Sequence, residues 1–147
     1  MAALAEYPER VDRLFLQKVR SPKGAYCVCL CICGVFQEFV IDDMFPVENE
    51  RLVFSYTKED ELWVMLAEKA FAKAYGGFWN IGTGGTCTSA LTDLTGAPSE
   101  YIDFSEKSDD SVFERLLEYD QKNYIMSCSS GGQGEVVQGN GIIAGHA

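Results

Sequence analysis

From Ala25 to Cys33 the chain reads Ala-Tyr-Cys-Val-Cys-Leu-Cys-Ile-Cys, an unbroken apolar run, and from Val35 to Ile41 it reads Val-Phe-Gln-Glu-Phe-Val-Ile. Two such runs joined at Gly34 predict an antiparallel hairpin. Period-two spacing on the first strand would place Cys27, Cys29, Cys31 and Cys33 on one sheet face. Zinc sites usually leave two or more residues between paired cysteines, and only one intervenes here. The four thiols therefore read as small apolar side chains of a buried strand. Asp42 and Asp43 end the second strand, and Pro46 prevents its continuation. Leu52-Val53-Phe54 follows as a short strand.

A different period marks the helices. Leu62, Leu66, Ala70 and Ala74 recur at helical spacing, with Trp63, Ala67 and Phe71 widening the stripe, so a helix is predicted from about Glu59 to Tyr75. Thr57 with Asp60 three residues on resembles a capping box with Asp in the Glu position. Gly76-Gly77 ends that helix, and a Gly- and Thr-rich loop follows through Gly82-Thr83-Gly84-Gly85-Thr86. At the start of the chain Ala2 to Glu6 favours helix until Pro8, which suits the first turn of a second helix through Phe15. The uncapped start reads like the back half of something longer.

Gly96 and Pro98 break periodicity together, so Ala97-Pro98 reads as a subdomain junction. Beyond it a helix is expected from Ser111 to Lys122, with Val112, Phe113, Leu116, Leu117 and Tyr119 facing inward. Tyr124 to Cys128 reads as a strand, Gly131 to Gly141 as a glycine-rich loop, and Ile142-Ile143-Ala144 as the start of another strand. A strand that stops in mid-stride at His146-Ala147 reads as cut.

Composition narrows the function classes. The 147 residues are 47% hydrophobic with a net charge of -10, which fits one soluble globular domain or a large part of one. That acidity argues against a nucleic acid or an anionic membrane as partner, because phosphate recognition needs clustered Lys and Arg. No apolar run reaches the roughly 20 residues of a membrane helix, and no basic segment precedes an apolar one as in a secretory leader. The expectation is a cytoplasmic chain without disulfides.

Chemistry could sit at the single histidine, His146. Imidazole titrates near neutrality, which suits proton transfer, and Gly145 removes side-chain bulk beside it. A nucleophilic thiol needs a lowered pKa, from a helix N-terminus or a nearby imidazolium. Cys27 to Cys33 lie inside a strand, Cys128 sits in an apolar one, and no helix is evident at Cys87. The Gly82-Thr83-Gly84-Gly85 loop lacks the Gly-Lys-Ser/Thr ending of a phosphate loop and follows a helix instead of a strand. Paired glycines also suit the approach of an extended peptide.

As a set, these residues resemble the calpain family. Ile41-Asp42-Asp43-Met44-Phe45-Pro46 looks like its strand-ending motif, and Glu61 to Lys73 (Glu-Leu-Trp-Val-Met-Leu-Ala-Glu-Lys-Ala-Phe-Ala-Lys) resembles its long helix. Gly84-Gly85 followed by Ala90 to Gly96, then Ser127-Cys128-Ser129, then Gly145-His146-Ala147, are similar to three further motifs in family order. The resemblance implies an α+β, papain-like protease core, incomplete, with parts of both lobes. Residues 1–96 would be the C-terminal part of the cysteine-bearing lobe, and 97–147 the N-terminal part of the histidine-bearing lobe.

It also implies roles. His146 would be the general base that pairs with a catalytic thiolate. Gly85 and Gly145 would bind the substrate backbone. Glu61 would be a carboxylate ligand of a regulatory calcium ion, a hard cation that prefers oxygen. The family's segments bearing the nucleophile, the oxyanion-hole glutamine and the residue that orients the histidine are not in this chain, and the other calcium ligands would also lie upstream. The implied function is a calcium-dependent cysteine endopeptidase acting on proteins or peptides, held here as a fragment that needs the missing remainder of the protease domain and is inactive alone. The alternative is a calpain-like module that binds peptides or proteins without cutting them.

Overall fold

The computed structural model describes residues 1–57, 61–104, 108–131, 137–139 and 141–145. Two short helices open the chain, α1 (Ala2–Ala5) and α2 (Pro8–Asp12). A hairpin follows, β1 (Ala25–Ile32) and β2 (Val35–Asp42), then a smaller one, β3 (Val47–Glu48) and β4 (Arg51–Leu52). Four α-helices follow among the described residues: α3 (Trp63–Ala74), α4 (Phe78–Gly82), α5 (Cys87–Thr95) and α6 (Asp109–Gln121).

β1 is the centre of the structure. It pairs with β2 in antiparallel register from Ala25↔Asp42 to Ile32↔Val35. Its other edge is taken by the segment after α2, where Leu16 N–H donates to the Cys27 carbonyl (3.1 Å) and Cys29 N–H to the Leu14 carbonyl (2.7 Å). Tyr26, Val28 and Leu30 are buried on one face and Cys27 and Cys31 on the other, which explains a continuous apolar run in place of alternation. Leu66, Ala67 and Ala70 of α3, Leu94 of α5, and Leu4 and Leu14 join Val28, Leu30 and Ile41 in one core. The alanines allow α3 to come close to the sheet.

The hairpin turn corrects one expectation. Cys33 (φ 53°) and Gly34 (φ 77°) are both left-handed, so Cys33 belongs to a two-residue turn of type I′ and is exposed. Three thiols share the sheet face, not four. An Asn is far better than Cys at the first left-handed position. Cys33→Asn should therefore stabilise the fold by about 0.5–1 kcal/mol, read as a higher urea midpoint at unchanged slope. Asn49 and Glu50, both left-handed, make the same two-residue connection between β3 and β4.

Other boundaries moved as well. α2 stops at Asp12, because Phe15 is drawn into a bridge with Val28. Only Arg51 and Leu52 pair as a strand, while Phe54 leaves the sheet and stacks on Phe78, ring centroids 4.1 Å apart. α3 begins at Trp63, and Asp60, the partner proposed for Thr57 in a capping box, lies outside the described residues. α4 and α5 occupy what reads as loop. Thr86 caps α5 by accepting from Ser89 N–H (3.1 Å), and Gly96 (φ 69°) ends it left-handed. A Cβ at Gly96 would lie 2.5 Å from Phe36 Cζ.

In the second half, α6 buries Val112, but Phe113 and Leu117 are exposed, contrary to the expected inward face. Tyr124 to Cys128 forms no strand. Ile125 packs on the core instead, and Cys128 is exposed. Near the chain's end a single bridge, Val137↔Ile143, replaces the expected strand. The turn after α6 is tied back to α2. The Tyr7 hydroxyl donates to Asn123 Oδ1 (2.5 Å), and the Arg10 guanidinium donates to the Asn123 carbonyl while lying 4.1 Å over the Tyr7 ring.

Candidate active site

His146 lies outside the described residues. Its neighbour Gly145 is exposed and left-handed (φ 64°), and its N–H donates to the Gly131 carbonyl at 3.2 Å. A side chain there would be strained, so a glycine next to the histidine is a backbone requirement. Ser130 Oγ donates to the Ile143 carbonyl, and Gln138 N–H to the Ile142 carbonyl (2.8 Å). Local hydrogen bonds thus hold the chain immediately before His146.

Gly85 lies between α4 and α5, exposed, with nothing within 4 Å of the position a Cβ would take. Gly84 beside it is left-handed (φ 92°) and equally open. The backbone here is accessible to an extended chain.

The six cysteines divide by environment. Burial pushes the Cys27 and Cys29 thiols up, and the Glu38 carboxylate opposite them adds to the shift, so both stay protonated and unreactive. Cys27 Sγ lies 3.9 Å from Glu38 Oε2. Cys87 reverses an expectation, because it is the first residue of α5 and so does stand at a helix N-terminus, half-buried. The sequence signal was present: Thr86 as cap, then Ala90, Leu91 and Leu94 at helical spacing.

Glu61 precedes α3 and is exposed, and its carbonyl accepts from Thr57 Oγ1 at 2.8 Å. A calcium site needs six to eight oxygens. Among the described residues no cluster of three or more His, Cys, Asp or Glu is arranged to hold a metal ion, so Glu61 alone does not make the site.

The family-like stretches act as scaffold. In the long helix, Glu68 Oε2 accepts from Ser55 N–H (3.0 Å) and Oγ (2.6 Å), Lys69 pairs with Asp42 (2.6 Å), and Lys73 donates to the Val40 carbonyl (2.6 Å). The Lys69 ammonium lowers the Asp42 carboxyl below its ordinary range. Asp93, whose role sequence reasoning missed, is 7% exposed and accepts from the Tyr75 hydroxyl at 2.5 Å. That hydrogen bond, helped by burial and by the Asp93 charge, pushes Tyr75 up to about 12.

Tyr75→Phe should cost about 0.5–1.5 kcal/mol, since Asp93 loses its donor but Tyr75 is 42% exposed and water can replace part of the bond. The pH dependence has a definite sign. The unfolded tyrosine ionises near its ordinary value of 10, whereas the folded one keeps its proton to about 12. The wild-type advantage over Tyr75→Phe is therefore full below pH 10 and shrinks as pH rises towards 12. Urea unfolding of both proteins across that window measures it.

Comparison with known proteins bears on all of these residues. The sequence matches the calpain family cysteine protease profile over residues 1–147. It is 31% identical over 156 aligned positions, covering 100% of this chain, to the calpain-type cysteine protease DEK1 of Arabidopsis thaliana. It is 32% identical to calpain clp-4 of Caenorhabditis elegans and 32% identical to the calpain-2 catalytic subunit of Gallus gallus, each over 78% of this chain. The chain belongs to the calpain family of cysteine proteases. It spans 7%, 16% and 17% of the length of these three relatives. No helix among the described residues is long and apolar enough to cross a membrane.

Proposed function

We propose that this chain is part of a cytoplasmic, calcium-regulated cysteine endopeptidase that cuts other proteins, and that it carries the general base but not the nucleophile. The family match over all 147 residues supports the reading, and Gly145-His146-Ala147 resembles the family's histidine motif. The proposed division into a cysteine-bearing lobe, residues 1–96, and a histidine-bearing lobe, residues 97–147, follows the same motifs. A thiolate from outside this chain attacks the scissile carbonyl. His146 holds the thiol proton and then delivers it to the leaving amine. Gly85 offers open backbone and Gly145 its carbonyl to the substrate chain, and Glu61 contributes one oxygen ligand group to a calcium site completed elsewhere.

The raised Cys27 and Cys29 thiols argue against those two cysteines as the nucleophile, and an activity assay separates Cys87, at the α5 N-terminus, from an external thiol. The test is an assay of the 147-residue chain with dye-labelled casein, with and without calcium. No cleavage above background is expected, whereas a longer form that supplies the family's cysteine segment cuts and is stopped by iodoacetamide. Calcium-dependent, alkylator-sensitive cleavage by the 147-residue chain itself would overturn the external nucleophile. A longer form that binds substrate proteins without cutting them would make this a binding module.

A further inference from the structure

We propose that the outer edge of β2 is a strand-addition site for an extended basic segment, one with a Lys or Arg flanked two positions away on each side by β-branched apolar residues. The register sets out the edge. Cys27 and Cys29 direct their backbone groups away from β2, as the bonds from Leu16 N–H and to the Leu14 carbonyl require. Their partners Val40 and Glu38 are therefore in wide pairs, and so is Phe36 opposite Cys31. All three aim N–H and C=O outward.

One end of this edge is closed. Lys73 takes the Val40 carbonyl, and Lys69 takes the Asp42 carboxylate and the Met44 carbonyl. What stays open is the N–H and C=O of Phe36, those of Glu38, and the N–H of Val40, which make no hydrogen bond among the described residues. An extended peptide saturates such a row, with alternate side chains providing the selectivity.

The side chains of the same three residues share one face. Phe36 is 63% and Val40 60% exposed. Glu38 stands between them, without an ion pair among the described residues, its carboxylate 3.9 Å from the Cys27 thiol. A carboxylate between two apolar groups is matched by a cation between two apolar groups, because opposite charges directly across a sheet attract and like charges repel. A second copy of this chain fits poorly. Two β2 edges in antiparallel register of fullest overlap would set Glu38 against Glu38.

Binding at this edge is tested without peptidase activity. The 147-residue chain is titrated into the dye-labelled peptide Thr-Val-Ser-Lys-Ser-Val-Thr and into the same peptide with Glu replacing Lys. Saturable anisotropy is expected for the Lys peptide and about fivefold or weaker binding for the Glu peptide. Glu38→Lys, a change at an exposed position, should invert that preference while leaving the unfolding midpoint in place. Amide exchange read by NMR should slow at Phe36, Glu38 and Val40 on binding, but not at Gln37 and Phe39, which already face β1. Equal binding of both peptides, or protection confined to other segments, would overturn the proposal. Protection of the same three amides that rises with protein concentration without peptide would replace the occupant with a second copy, and overturn it too.

Discussion

In a longer form of this protein that supplies the catalytic cysteine, His146→Ala should lower kcat/KM on a protein substrate by about 10⁴-fold or more. Thiol and imidazole act as a unit. Without the imidazole the thiol keeps its proton near neutral pH, and the departing amine has no acid to protonate it. The loss should fall on kcat, since the role proposed for the ring is proton transfer at the reacting atoms and not binding of the flanking substrate backbone. Raising the pH towards the ordinary thiol range should recover part of the variant's rate, because hydroxide can then supply the thiolate. A variant that keeps wild-type kcat would remove His146 from the reaction. Gly145→Ala separates the neighbouring role, since strain at its left-handed backbone would disturb substrate placement and raise KM.

The elements legible in the sequence are those whose pattern is enforced by burial. β1 reads as a strand because both of its faces are covered, and α3 reads as a helix because Leu66, Ala67 and Ala70 meet the core at one stripe. Where the decisive term is a backbone conformation, the pattern says less. Cys33 looks like a strand residue by hydrophobicity, yet the two-residue turn needs left-handed geometry there. α5 hides behind glycines and threonines, although Thr86 as its cap and Gly96 as its left-handed end mark both boundaries once recognised as such. Tyr124 to Cys128 is apolar enough for a strand but has no pairing neighbour among the described residues, and Ile125 packs on the core. The chemistry was legible only as family motifs. One imidazole beside one glycine has no partner in its own sequence from which a mechanism could be built.

The same distinction between the two faces of the hairpin yields a large stability difference between two apolar residues, Leu30 and Phe36, that lie close together in the sequence. Leu30→Ala should destabilise the fold by about 3–4 kcal/mol, a large share of the roughly 5–15 kcal/mol available to a domain of this size. Leu30 has no solvent exposure, and Val28, Leu66, Ala67 and Ala70 in the same core are each 3% exposed or less. These neighbours are held by strand pairing or by helix backbone, and alanines have no side-chain length with which to refill a void, so the cavity would stay open. Phe36→Ala removes a larger side chain, but one already 63% exposed, and should cost under about 1 kcal/mol. Urea unfolding of the two variants should therefore separate them by at least about 2 kcal/mol in favour of the larger truncation. Equal losses would mean that the outward face of β2 is covered in solution, by a strand or by another copy, and that the edge is not free to receive a partner.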